Sequence, residues 1–188
     1  MTEIATSAVV DGKAELANDV TIGPYAIIGP NVRIGTGTTV GPHAIIDGYT
    51  EIGQNCRIFP HAAVGLEPQD LKYRGGRCWL RIGDRTVIRE FATLNPATQE
   101  GEATVVGSDC LLMAYSHIAH NCRVEDHVIL ANSVNLAGHV TIGTYAVLGG
   151  VTPVHQFVRI GTHAIVGGGS RVPMDVAPYT LAAGNPLE

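Results

Sequence analysis

Five histidines fall within one stretch of the chain, Met113 to Gln156, and four of them, His117, His120, His139 and His155, are the candidates for chemistry. His139 directly follows Gly138, and His155 directly precedes Gln156. Imidazole is the side chain that ordinarily changes charge near neutral pH, so such a group can move protons, hold a polar ligand or ligate a metal. Scattered over a surface, the same residues do none of these things. What decides between the two is whether the fold gathers them.

The elements that would gather them follow a beat of six. Twenty-nine positions lie at that spacing from Ile4 to Val172, and twenty-six of them hold Ile, Leu or Val. The exceptions are Asp70, Gly76 and Glu100; chance at this composition fills roughly seven. A helix repeats its apolar residues at three, four and seven, and a half-buried strand at two, so neither explains a pure six. Short parallel strands, three to a coil, with one aliphatic side chain per strand pointing into a narrow prism, do explain it. The expected fold is therefore all-β, a parallel β-helix of the hexapeptide type. Glycine often follows the inward residue (Ile22-Gly23, Ile34-Gly35, Ile142-Gly143), as corners with positive φ or crowded backbone require.

Three strands of six make a coil of eighteen residues, and each coil rises by ~4.8 Å. Residues eighteen apart then stack. His120, Gly138 and Gln156 form one such column on three successive coils, with His139 beside it and Asn135 above His117. The column spans about 10 Å, two strand spacings. This is the expected site.

Two stretches break the beat. LEPQDLKYRGGR, residues 66–77, keeps the phase while two slots turn polar, which describes a loop extruded from a coil. It carries Gln69, Asp70, Lys72 and Tyr73, and loops held on rigid scaffolds often carry function. NPATQEGEA, residues 95–103, is a smaller interruption. His43 and His61 read as surface or corner histidines. After Val172 the beat stops, and Pro173, Pro178 and Pro186 punctuate the remaining residues. The expected division is a β-helix over 1–176 and a tail over 177–188, whose abrupt end suggests a chain cut short.

One domain accommodates 188 residues. A net charge of -5 without a basic stripe argues against nucleic acid as a partner. No apolar run reaches the ~18 residues that span a bilayer, and no secretory signal opens the chain. Cys56, Cys78, Cys110 and Cys122 form no CxxC pair, so cytoplasmic thiols are expected.

QDLKY (69–73), SHIAHNC (116–122), LAGHV (136–140) and VHQF (154–157) together resemble the UDP-N-acetylglucosamine O-acyltransferases that open lipid A biosynthesis. The resemblance runs from about residue 4 to residue 186. It implies a left-handed coil, against the usual right-handed crossover. It also implies a homotrimer with a site in each cleft between prisms, and no metal or cofactor. The reaction would carry a 3-hydroxyacyl group from acyl carrier protein to the 3-hydroxyl of UDP-N-acetylglucosamine.

By the same resemblance His120 would be the general base, and Gly138 the backbone N–H facing the oxyanion. His117 and His139 would position the sugar, His155 would bind substrate, and Gln156 would lie near the thioester end of the acyl chain. Gln69, Asp70 and Lys72 would bind substrate, Asp70 and Gln69 from a loop reaching the neighbouring subunit's cleft. Gly168 falls where the family sets acyl length, and a glycine there implies a chain of about the C12–C14 class.

Three departures stand out. Asn95 replaces a histidine common in the family, and Asn121 an aspartate that often follows the catalytic histidine. The family's C-terminal helical domain, which adds arginines for the nucleotide, has no counterpart here, so weak UDP binding is expected. Three other readings fit the same residues: N-acylation of a 3-amino UDP-sugar, a catalytically weak or inactive β-helix scaffold, and a zinc carbonic-anhydrase-like protein using His117 and His120.

Overall fold

Each hexapeptide forms a strand of two residues and then turns a corner. Val9–Val10, Ile27–Ile28 and Ile45–Ile46 are successive rungs of one such ladder. The computed structural model of the chain describes residues 1–185 and 187–188, so Pro186 lies outside the described residues. Its twenty-six strands form three parallel sheets of ten, eight and eight, and successive strands move from one sheet to the next. The architecture is a left-handed parallel β-helix of triangular section. The three sheets are its first, second and third faces, numbered in chain order from Glu3–Ile4.

The aliphatic beat fills the prism axis: Ile22, Ile28, Ile46, Ile88, Leu112, Ile118 and Leu136 are at most 1 % exposed. A second buried position lies two residues earlier in each hexapeptide, and side chains smaller than leucine fill it except at Leu80. Val20, Ala26, Ala44, Cys56, Ala62 and Ala92 are examples. A beat counted only in Ile, Leu and Val does not register it. The thin prism generally takes one large residue per strand and a smaller one at the corner, Leu80 beside Ile82 being the exception. Cys56, Cys78, Cys110 and Cys122 are all buried free thiols.

Corners are turned by one left-handed residue each, and most of these are not glycine. Tyr25, His43, His61, Phe91 and Tyr115 have φ between 57° and 63°. Glycines after the core residue serve a different need. A Cβ on Gly35 would lie 2.6 Å from the backbone of Gly53 in the coil above. Crowding between coils, and not positive φ, fixes that position.

Ladder register is eighteen residues wherever the repeat is uninterrupted, as in His117↔Asn135. It is thirty at Val64↔Leu94 and twenty-four at Leu94↔Ile118. The surplus is two hexapeptides in the first case and one in the second, so the inward phase survives both. Asp70, Gly76 and Glu100, the three failures of the beat, are the slots that left the coil.

The β-helix also reaches further than residue 176. Ile160 bridges Val176, and Leu181–Ala182 pairs in parallel with Ile165–Val166. The register there is sixteen, so the last coil has lost two residues between Val172 and Val176. A count in sixes fails at that point although the stack continues.

Candidate active site

Both interruptions leave the prism at the corner between the second and third faces, at 65–78 and 95–102. His120 stands at the same corner of the next coil, Gly138 one coil further, and Gln156 one beyond that. The left-handed residues there are Asn121, His139 and Phe157, and each stacking residue precedes one of them. A Cβ placed on Gly138 would lie 2.6 Å from His120 Cε1 and 2.7 Å from Nε2. Gly138 has no positive φ, so glycine is demanded here by the imidazole lying across it.

The amide of Asn121 sets the tautomer of that imidazole. The backbone N–H of Thr98 donates to Asn121 Oδ1 at 3.2 Å, and the Thr98 hydroxyl donates to it at 3.1 Å. On the other side Asn121 Nδ2 donates to the carboxylate of Glu102. A backbone N–H can only donate and a carboxylate only accept, so the amide has one consistent orientation. His120 Nδ1 lies 2.9 Å from the same Oδ1. Nδ1 therefore carries the proton, and in the neutral ring the lone pair sits on Nε2.

Asp70 faces that lone pair. Its Oδ2 lies 3.7 Å from His120 Nε2, with His120 17 % and Asp70 22 % exposed at the side chain. The separation is too long for a hydrogen bond, and two acceptors oppose each other across it. A hydroxyl group is what such a gap accepts. Asp70 is held by its own turn, where Oδ1 accepts from the Lys72 N–H and its C=O from the Tyr73 N–H. The loop therefore folds onto the histidine of its own chain. Two surplus hexapeptides suffice for it to cross two coils along one edge.

Asn95 anchors the loop's root. Its amide donates to the carbonyls of Leu66 and Glu67 at 3.0 and 3.3 Å, while its buried Oδ1 has no partner among the described residues.

Flanking imidazoles stay neutral. Burial pushes His117 below the ordinary histidine range, partly offset by the backbone of Thr93, and the Thr93 Oγ1 lies 2.7 Å from its Nδ1. Burial likewise lowers His139, and nearby His120 adds to this. His139 stacks on Phe157 at 4.7 Å and meets the edge of His120 at 5.2 Å. Burial pushes the Cys122 thiol up to about 12, which keeps it protonated and inert.

The corner also has a donor to offer. Residues in the slot of Gly138 have no ladder partner for their N–H: Pro24, Pro42 and Pro60 carry none, Glu125 caps Thr144, and Ala114, Asn132 and Gly150 are left bare among the described residues. The Gly138 N–H has no partner among the described residues. An imidazole with its Nε2 lone pair free and a bare N–H donor thus stand on adjacent coils, an arrangement that could serve acyl transfer through a tetrahedral intermediate.

Known proteins lead to the same place. The model of the bacterial transferase hexapeptide family (six repeats) matches residues 13–48 and 103–138. The acyl-(acyl-carrier-protein)–UDP-N-acetylglucosamine O-acyltransferase of Herminiimonas arsenicoxydans is 49% identical over 98% of this chain and 71% of its own length. The chain belongs to that acyltransferase family. Its counterpart in Synechocystis is 51% identical over 123 residues, 65% of this chain, and there the match spans only 45% of the relative. The UDP-N-acetylglucosamine O-acyltransferase structure from Moraxella catarrhalis is 44% identical, with a TM-score of 0.95 over 98% of this chain and 72% of that one.

Of the residues that the family resemblance points to, the structure gathers His117, His120, Gly138, His139 and Asp70. His155 and Gln156 share the corner one coil up, but both are exposed, and His155 Nδ1 contacts only the Gln156 carbonyl at 3.1 Å. Gln69 and Lys72 point to solvent from the loop. Gly168 is not gathered at all. It lies over Gly150 on the corner between the first and second faces, a different edge of the prism. Among the described residues no three His, Cys, Asp or Glu side chains group as metal ligands, and no helix is long and apolar enough to cross a membrane.

Thr93, Thr98 and Glu102 join the site without having stood out in the sequence. The available signal for the last two is the second interruption, whose phase already assigns it to the corner of His120.

Proposed function

We propose that this chain transfers a 3-hydroxyacyl group from acyl carrier protein to the 3-hydroxyl of UDP-N-acetylglucosamine, the first step of lipid A biosynthesis. One observation carries this reading: an imidazole with its lone pair on Nε2 lies across a glycine whose N–H is free, on adjacent coils. His120 takes the proton of the acceptor hydroxyl as its oxygen attacks the thioester carbonyl. The new C–O bond forms, negative charge collects on the former carbonyl oxygen, and the Gly138 N–H donates to it. Collapse breaks the C–S bond, and the proton held by His120 goes to the departing thiolate. Asp70 accepts from a substrate hydroxyl in the gap before Nε2. His117 and His139, neutral and hydrogen-bonding, orient the sugar. Gln69 and Lys72 meet the nucleotide phosphates, and His155 and Gln156 the thioester end.

The working particle is a homotrimer. Gly168 stands on another edge of the prism from His120, so it can border the same acyl chain only from a second copy. A glycine there leaves room for an acyl chain of about the C12–C14 class. The reaction belongs to the cytoplasm, where acyl carrier protein and nucleotide sugars are found.

The test is transfer from carrier proteins loaded with 3-hydroxy C10, C12 and C14 chains, with UDP-N-acetylglucosamine and its 3-amino analogue in competition. Ester product and a preference for C12 or C14 are expected from the parent, with both lost in His120→Ala. Equal turnover by parent and variant overturns the base. A C10 preference overturns the role of Gly168, and a preferred amide product transfers the reading to N-acylation.

A further inference from the structure

Asn121 is neutral, yet the residue next to a general base is where a carboxylate would do most to steady an imidazolium. The charge is present one bond further away. Asn121 Oδ1 accepts from His120 Nδ1, and Asn121 Nδ2 donates to Glu102. Glu102 comes from the second interruption, and so does Thr98, which fixes the amide's orientation. The Asn121 N–H is tied separately to Thr104 Oγ1 at 2.8 Å, so the left-handed turn that aims the amide does not depend on Glu102.

We propose that Glu102 is a positioning residue for the acyl transfer, supplying through the Asn121 amide the negative charge that stabilises His120 when it takes up the proton. As His120 becomes cationic, its Nδ1–H donates more strongly to Oδ1. The amide then polarises and donates more strongly from Nδ2 to the carboxylate, a chain in which each bond strengthens the next. No proton leaves Nδ1. The other groups facing His120 do not fill this role. His117 and His139 stay neutral and supply no negative charge, and Asp70 lies on the Nε2 side, where it shares the gap with the substrate hydroxyl.

The inference rests on His120 being the base, and its test separates the two. In Glu102→Gln the neighbouring charge is gone while a hydrogen-bonding side chain remains. Plateau kcat/KM is expected to fall about fivefold, the effect of one charge acting through a partly solvated contact. A base works unprotonated, and removing a negative charge favours that form, so the acid limb of the pH profile moves to lower pH. The pH at which the His120 ring signal titrates by NMR moves the same way, a readout that needs no turnover. Adding Asn121→Asp to Glu102→Gln returns a carboxylate to the other end of the same bond. That double variant is expected to recover the plateau to within about threefold and to restore the acid limb.

Three results overturn the proposal: an unshifted limb and ring titration in Glu102→Gln, a fall in rate without a shift, or a double variant no better than the single one. If instead His120→Ala turns over like the parent, the acyl-transfer assignment of His120 fails, and the ring titration still decides whether Glu102 and His120 are linked.

Discussion

His43 and His120 occupy two edges of the same prism, built from the same hexapeptide, and only one of them is equipped for chemistry. His43 is itself the left-handed corner residue, and it stacks face to face between Tyr25 and His61 at 5.0 Å on either side. The column continues through Phe91 to Tyr115, exposed throughout. Among the described residues no hydrogen bond fixes the tautomer of His43 or His61. His120 sits one residue before the left-handed Asn121, so its ring lies across the glycine of the next coil. Two inserted segments then supply Asp70 at one nitrogen and the Asn121–Glu102 pair at the other. A repeat makes every corner alike; the insertions make one corner different.

Replacing the residue at each edge tests this contrast. His120→Ala should lower kcat by about 10²–10⁴-fold, the usual contribution of a general base, with an unchanged melt; a smaller loss would put the two histidines on a par. Gly138→Ala should cost roughly 10²-fold in kcat and little stability, because the new methyl meets a partly exposed ring that can shift. Gly35→Ala sharpens the distinction between glycines. Its methyl meets backbone, so about 1–3 kcal/mol of stability should go, read by denaturant titration, while turnover per folded molecule holds. Removing the loop's tether in Asn95→Ala should raise KM more than it lowers kcat, at a stability cost of about 1 kcal/mol. His43→Ala should leave turnover alone and remove about 0.5–1.5 kcal/mol of stacking.

Acid should distinguish the two edges as well. Burial holds His117 below the ordinary histidine value of 6.5, so the unfolded chain takes up a proton that the folded chain refuses. The stability tied to His117 is therefore full above about 6.5 and is lost as the pH falls below it. A His117→Gln variant should melt with a flatter pH dependence between about pH 7 and 5; an identical slope would show that His117 is not the group responsible.

Much of this was legible in the residue order. Aliphatic side chains every six residues admit one solution, so the prism, the eighteen-residue register and the column of His120 with Gly138 followed directly. The exit slots were visible too, as Asp70, Gly76 and Glu100. The path of an excluded loop was not, because no periodicity governs it. Asp70 lands on His120 through an Asx turn and the Asn95 tether, and neither has a repeat signature. The role of Asn121 was also out of reach, since its meaning depends on Thr98 and Glu102, residues that the same interruption brings in from the coil below. The final coil failed for a simpler reason: two residues lost between Val172 and Val176 shift the beat while the strands still pair.

The central claim is that insertions in phase turn an ordinary corner into a site. Deleting residues 66–77 in one block removes two hexapeptides and joins Gly65 to Cys78, restoring an uninterrupted coil. Cooperative melting of the shortened chain, followed by circular dichroism, alongside its acyl transfer rate is the measurement that tests this most directly. A β-helix that melts like the parent and transfers no acyl group is the predicted result; a chain that fails to fold, or one that turns over at the parent's rate, would contradict it.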